Sequence, residues 1–301
     1  MVSIGLIYRQ MSLNTRDLKY FTAVAELRHF GQAAKECNVS QPTLSGQIKK
    51  LEGQLGVSLF ERTNKKVMLT DAGKEILPYA HKALMSIDDI CDISHSFKNP
   101  FSGRFRLGAI PTIASYVFPE FVSKVKKQLP ELTLILTEEK TEIIMEQLNR
   151  GEIDAAIVAL PIHDHSLDSH ELFEDEFYLA VPSNHKLCKN KSIVMEQLKN
   201  QQLLLLEEGH CLRGQALEAC ETVNISEYNF MATSLETLRQ MVKAGTGITI
   251  IPKIATIENE EGIHYIPFKS SSKSRTVGLI WRKTNVKRAV IEQTIKLLQR
   301  T

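Results

Sequence analysis

The sequence predicts an α/β chain in three parts: a small helical front, one long helix, and a larger body of two α/β lobes. Three observations carry this. Residues 16–55 repeat apolar residues at helical spacing, residues 71–94 carry one long stripe of the same kind, and beyond 104 strand-like apolar runs alternate with amphipathic helices. At 301 residues the chain is too long for one small core.

In the front, Leu18, Phe21, Val24 and Leu27 form a helical stripe, and Phe30–Cys37 gives a second, short helix whose Ala33 and Ala34 permit close packing. Asn38–Ser40 is a turn, with Ser40 as N-cap and Pro42 tolerated in the first turn of the next helix. That helix buries Leu44, Ile48, Leu51 and Leu55 and turns Gln41, Thr43, Gln47, Lys49 and Lys50 outward. The pattern is that of a helix-turn-helix whose second helix is free to enter a DNA major groove. An ordinary amphipathic helix with a solvated face fits the same residues. Arg62–Leu69 alternates short polar, basic and apolar residues and reads as a wing, with Lys65 and Lys66 reaching phosphates. Base readout is expected from Gln41, Thr43 and Gln47, and backbone anchoring from Lys49, Lys50, Arg62 and Lys65. Leu13–Ala72 holds nine Lys and Arg against six Asp and Glu, a net +3 within a chain total of +2. A basic front on a mildly acidic body suits a nucleic-acid reader joined to a sensor.

Thr70 and Asp71 cap a long helix reaching about Ser94, with Ile76, Ala80, Ala83, Ile87, Ile90 and Ser94 in heptad-like steps and Leu77, Leu84 and Cys91 alongside. Such a stripe needs a partner, either this helix in a second copy or its own chain. Pro78 introduces a local bend. Residues 98–103, rich in Pro, Gly and polar groups, form the hinge.

The partition is therefore 13–71 for the DNA-binding front, 72–97 for the linker helix, 98–103 for the hinge and 104–301 for the body. Within the body, strands at Phe105–Ile110, Leu132–Leu136 and Ala155–Leu160 alternate with helices, and further strands follow at Phe177–Val181, Leu203–Leu206, Phe230–Ala232, Ile248–Ile251 and Thr276–Trp281 before a closing helix. Two lobes result, about 104–172 with 269–301, and about 173–268, joined by crossings near Leu172 and Phe268. Sites in open α/β sheets gather at the carboxyl ends of strands. Thr112, Thr141 and Cys211 each follow a strand in this way.

Chemistry concentrates in Leu203–Cys220, LLLLEEGHCLRGQALEAC. Four leucines make a buried strand, and Leu212, Ala216, Leu217 and Cys220 then recur at helical spacing. Cys211 sits at the mouth of that helix, where unpaired N–H groups and the helix dipole favour a thiolate, and His210 and Arg213 flank it. Glu207 and Glu208 oppose the thiolate. Cys220 lies nine residues on (220 − 211), roughly 13.5 Å along a helix and on its opposite face. A disulfide needs Cα atoms within about 7 Å, so these two cysteines can join only if the segment between them leaves its helical form. Packing of both as small apolar core residues is the other reading.

The five cysteines form no CxxC or paired Cys/His zinc spacing, and His163, His165 and His170 lie in a polar loop without compact ligand spacing, so no metal and no cofactor is expected. Cys37, Cys91 and Cys188 read as apolar packing. No apolar run is long enough to span a bilayer and the first residues do not form a signal peptide, so a cytoplasmic protein is expected.

Two longer strings sharpen this. AAKECNVSQPTLSGQIKKLEGQLGVSLFERT, and EEGHCLRGQALEAC followed by FMATSLETLRQMVKAGTGITIIP, resemble the LysR-type transcriptional regulators, the second pair in particular their peroxide-sensing branch. The resemblance runs from Leu13 onward, which leaves Met11 as an alternative start. It implies a winged helix-turn-helix, a linker helix that pairs in a dimer, further pairing to a tetramer, and a regulatory body resembling periplasmic binding proteins. It also implies a regulator rather than an enzyme, with Cys211 the peroxide-reactive cysteine and Cys220 its disulfide partner. Thr112, His210, Arg213, Thr141 and Arg275 would orient the peroxide; for Thr141 a helix cap, and for Arg275 a surface charge, fit equally. The implied partners are promoter DNA, hydrogen peroxide, RNA polymerase and cellular thiol reductants. A regulator of the same family answering to a small organic effector between the lobes is the alternative.

Overall fold

The computed structural model describes residues 13–62, 67–97, 99–199, 201–220, 226–269 and 274–299, with side chains at 62, 95, 96, 218–220 and 226–229 left aside. Contacts divide the chain into two units that meet between Asp92 and Ile93, inside the long helix.

In the first unit, α1 (Thr15–Leu27), α2 (Phe30–Glu36) and α3 (Gln41–Leu55) close around Phe21, Val24, Ala33, Leu44, Ile48 and Leu51. Each helix begins on a side-chain cap. Asn14 accepts from the Arg16 N–H, His29 Nδ1 from Gly31 and Gln32, and Ser40 Oγ from Thr43. Strands β1 (Phe60–Arg62) and β2 (Val67–Leu69) pair antiparallel as the stem of the wing. The Glu52 carboxylate accepts from the N–H groups of Leu59 and Phe60 at 2.8 and 3.2 Å, which fixes the stem to α3.

Helix α4 (Asp71–Ser96) begins where Thr70 Oγ1 accepts from Gly73 N–H at 3.0 Å. Gly73 is required there, because a Cβ would sit 2.3 Å from the Leu59 carbonyl oxygen. Pro78 lies within the continuous helix. Ala80 is buried in the front core, with Ile76 and Leu77 against it, whereas Ile87, Ile90 and Ile93 are exposed. Within the segment expected as the hinge, the Asn99 side-chain oxygen accepts from Phe101 N–H at 2.9 Å and its amide donates to Glu131 at 2.8 Å. Lys98 lies outside the described residues.

The second unit has two lobes. In lobe I, β3 (Gly103–Ala109), α5 (Pro111–Gln128), β4 (Leu132–Glu138), α6 (Thr141–Arg150) and β5 (Ala155–Leu160) are consecutive βαβ units with strand order β5-β3-β4, all parallel. The long strand β6 (Leu167–Pro182) serves both lobes. Its first part pairs with β11 (Ser274–Arg282) in lobe I, and β11 pairs antiparallel with β5. From Phe177 it pairs instead with β9 (Thr249–Pro252) and β10 (Ile263–Pro267) in lobe II. Lobe II adds a parallel pair, β7 (Gln202–Leu206) and β8 (Ser226–Ala232), with helices α7 (Cys211–Cys220) and α8 (Leu235–Lys243); a parallel bridge from Leu203 to Ile248 joins β7 to the β9 side. Helix α9 (Arg288–Leu298) closes lobe I.

Two expectations change. The crossing between lobes falls after Glu176 rather than near Leu172, and His170 lies in β6 opposite Leu279 rather than in a polar loop. The reason is shared: four polar residues follow one another between Leu167 and Leu172, buried positions fall only at 167, 172 and 175, and a register irregularity opposite Val277 and Gly278 breaks the period of two, so pairing with β11 rather than an apolar pattern makes the strand.

Candidate functional site

The carboxyl ends of β3, β4, β7 and β8 lead into α5, α6, α7 and α8, and these four helix starts converge between the lobes. A cavity of about 560 Å³ lies there, lined among others by Thr112, Tyr116, Lys140, Glu207, His210 and Arg239.

Cys211 is the first residue of α7 and carries a free thiol. Its helix is anchored in lobe II by Leu212, Ala216 and Leu217, yet its own sulfur packs against the apolar core of lobe I. The thiol thus bridges the two lobes. The Arg275 guanidinium supplies a nearby positive charge to the sulfur, and Thr141, the first residue of α6, and the backbone N–H groups of Leu212 and Cys211 lie on the side of its charged form. All four favour the thiolate. Burial opposes them and wins, so the Cys211 thiol is pushed above its ordinary range.

Arg275 is a buried residue, not a surface charge. Its Nε and Nη2 donate to Asp175 Oδ2 at 3.1 and 2.9 Å, and its Nη1 and Nη2 donate to Thr112 Oγ1 and the Thr112 carbonyl at 2.9 and 3.1 Å. Asp175 also accepts from Ile254 N–H at 3.0 Å. Neither Thr112 nor Thr141 caps its helix: α5 and α6 begin at Ile110 and Lys140 without side-chain caps, which leaves both hydroxyls for the site.

The flanking cations act differently from what proximity in sequence suggests. Burial, then the charge of Lys140, push His210 below its ordinary value, so it is a neutral imidazole at pH 7. Its Nε2 has no hydrogen-bond partner among the described residues, with Glu207 Oε1 3.9 Å away. The Arg213 guanidinium donates to the Leu206 carbonyl at 3.1 Å and so secures the end of β7. The charge acting on the sulfur therefore comes from Arg275, 64 residues away (275 − 211) and invisible to local reading. Glu207, the expected adversary of a thiolate, is bound by Lys140, which holds its carboxyl below the usual range. Asp175 and Lys140 are the two members of the constellation that sequence reasoning missed. Cys220 closes α7, and its side chain lies outside the described residues.

On the front unit, Gln41, Thr43, Lys49 and Lys50 are exposed along α3 and Gln47 is half-buried. Gln47 and Lys50 share a polar hollow with Asn14 and Arg16 at the start of α1. The Thr43 hydroxyl is 2.7 Å from Ser40 Oγ. The Arg62 side chain and Lys65 lie outside the described residues.

Residues 15–74 match the family model described as "Bacterial regulatory helix-turn-helix protein, lysR family", and residues 98–301 match the "LysR substrate binding domain". The chain belongs to the LysR family of transcriptional regulators. Among curated relatives, a hydrogen peroxide-inducible genes activator of Haemophilus influenzae is 40% identical over 273 residues, 90% of this chain and 91% of that one. Among solved structures, a full-length OxyR from Pseudomonas aeruginosa, a cysteine-to-aspartate variant, aligns with a TM-score of 0.79 at 35% identity, covering 96% of this chain and 95% of that one. A cysteine-to-serine mutant of Corynebacterium glutamicum OxyR, hydrogen peroxide-bound, aligns with a TM-score of 0.64 at 30% identity, covering 97% and 93%.

Proposed function

We propose that this LysR-family protein is a cytoplasmic regulator that senses hydrogen peroxide through Cys211 and Cys220. The observation that carries the proposal is the position of Cys211: it starts a helix anchored in one lobe, packs on the core of the other, and lies under the charge of Arg275, which Thr112 and Asp175 hold in place. Cys211 attacks one peroxide oxygen, the O–O bond breaks, and the thiol proton leaves with the departing oxygen as water, giving sulfenic acid. Thr112, Thr141, His210 and Arg275 orient the peroxide and stabilise the departing oxygen, while Arg213 holds the approach to the helix. The Cys220 thiol then displaces the sulfenic oxygen as a second water. The sum is two thiols and one peroxide converted to one disulfide and two waters.

Helix α7 spans both cysteines, so their bonding requires the 212–219 segment to refold. Because α7 joins the lobes at Cys211, refolding alters the body, repositions the DNA readers and changes contact with RNA polymerase. Thiol systems of the glutaredoxin or thioredoxin type reverse the disulfide. Dimers form through the exposed Ile87, Ile90 and Ile93 of α4 and pair into tetramers on roughly two-fold promoter sites. Gln41, Thr43 and Gln47 read bases; Lys49, Lys50, Arg62 and Lys65 hold phosphates.

The test is mass spectrometry of the peptide carrying both cysteines before and after one equivalent of peroxide. A 211–220 crosslink is expected within the mixing time of a manual experiment, and its absence overturns the redox reading. Fast catalytic turnover with a reductant would indicate a thiol peroxidase instead. The cavity between the lobes supports a second reading, a regulator of the same family binding a small organic effector; unchanged peroxide-dependent transcription in Cys211→Ser would favour it.

A further inference from the structure

Lys140 is the N-cap residue of α6 in lobe I, immediately before Thr141. Its ammonium reaches across to lobe II. It donates to Glu207 Oε1 and, at 3.1 Å, to the Glu208 carbonyl oxygen. Its stem lies against Gly209, where a Cβ would meet Lys140 Cδ at 3.0 Å and where φ is +87°. Lobe I therefore holds the Glu207–Cys211 turn at two points, by the Lys140 ammonium at its start and by its own apolar core against Cys211 at its end.

We infer that Lys140 is a positioning residue: by tying Glu207 and the Glu208 carbonyl to lobe I it holds Cys211 docked in the reduced state, and it must let go when Cys211 moves to bond Cys220. This rests on the redox reading above and adds to it what sets the balance between the two states. Residues 208–210 are the only covalent path between the tied turn and Cys211, so displacing the first residue of α7 pulls on the contact directly. An interaction made only in the reduced state favours that state by its own strength. Both side chains are 35% exposed, so the ion pair is modest and salt-screened, while the hydrogen bond to the carbonyl adds to it.

The test uses the full-length protein equilibrated in glutathione buffers of graded ratio, with the 211–220 disulfide quantified by mass spectrometry after acid quenching. Two glutathione thiols reduce the disulfide, giving two cysteine thiols and one glutathione disulfide. Lys140→Met is expected to shift the equilibrium about three- to tenfold toward the protein disulfide. Lys140→Arg should stay within about twofold of the natural protein, because it keeps the charge. Raising salt from about 0.05 to 0.5 M should move the natural protein toward disulfide and leave Lys140→Met unmoved. Glu207→Gln, which keeps the side-chain length and the bond to the Glu208 carbonyl but removes the ion pair, should reproduce the salt-sensitive part of the effect, and serves if Lys140→Met does not fold. An unshifted equilibrium in Lys140→Met, or an equal shift in Lys140→Arg, overturns the inference. Failure of the natural protein to form the disulfide at any ratio would instead overturn the underlying redox reading.

Discussion

Replacing Gly214 by alanine should make the protein harder to switch. Gly214 occupies the first half of α7, is exposed, and has open space where a Cβ would stand, with nothing within 4 Å. No turn, close approach or positive φ requires glycine there. A glycine in a helix interior costs about 1 kcal/mol relative to alanine, chiefly through backbone entropy. Gly214 therefore weakens the segment whose refolding the proposed disulfide requires, at a position where nothing packs against it. In Gly214→Ala the helical, reduced state should gain about 1 kcal/mol over a refolded segment, or about fivefold in the equilibrium. The assay is the fraction of 211–220 disulfide in a fixed glutathione buffer, read beside the thermal midpoint of the reduced protein. The expected result is a higher midpoint with about fivefold less disulfide. A raised midpoint with an unchanged disulfide fraction would show that α7 does not unwind when the cysteines join, and the refolding argument would fail.

Four further outcomes follow from the same structure. Arg275→Gln and Asp175→Asn each break an ion pair whose side chains are 0% and 2% exposed, so each should lower stability by about 3–5 kcal/mol; peroxide should consume the Cys211 thiol more slowly in the first and faster in the second, where Arg275 loses its counter-charge. Equal slowing in both, by stopped-flow thiol loss, would reduce Arg275 to a structural role. Because burial raises the Cys211 pKa, the reduced protein favours the proton more than its unfolded chain does; Cys211 contributes stability below the ordinary thiol range that is lost as pH rises through its folded pKa, while peroxide reactivity climbs over the same interval, and Cys211→Ser should flatten both curves in denaturant and rate titrations. His210 has the opposite sign of pH response. Its lowered pKa means that protonation of the unfolded chain erodes stability as pH falls through and below the ordinary histidine range, and His210→Asn should lessen that acid loss in the same denaturant titration. Ile90→Glu, at the 66% exposed position of α4, should weaken self-association at least tenfold by sedimentation while leaving the thermal midpoint within about 2 °C; an undiminished dimer would place the contact elsewhere.

Periodicity was enough to locate the elements whose burial is one-sided and local. The stripes Leu18–Leu27 and Leu44–Leu55, the caps at Ser40 and Thr70, and the leucine run of β7 all appear where neighbouring residues determine their own environment. The start of β6 is not legible in the sequence because Asp168, Ser169, His170 and Glu171 follow one another with none of them buried, and a polar run of that kind resembles a loop until β11 pairs with it.

The sequence by itself determined which sulfur begins a helix, how far along that helix Cys220 lies, and which polar residues α3 turns outward, since each follows from spacing along one element. Only the tertiary structure decided the environment of that sulfur. Electrostatic fields and desolvation depend on distance through space, and folding brings Arg275 and Thr141 to Cys211 from elements remote in the chain, with Asp175 behind Arg275 and Lys140 on the turn that leads to the cysteine. The flanking His210 and Arg213 were the wrong place to look for charge, one being neutralised by burial and the other turned to the end of β7.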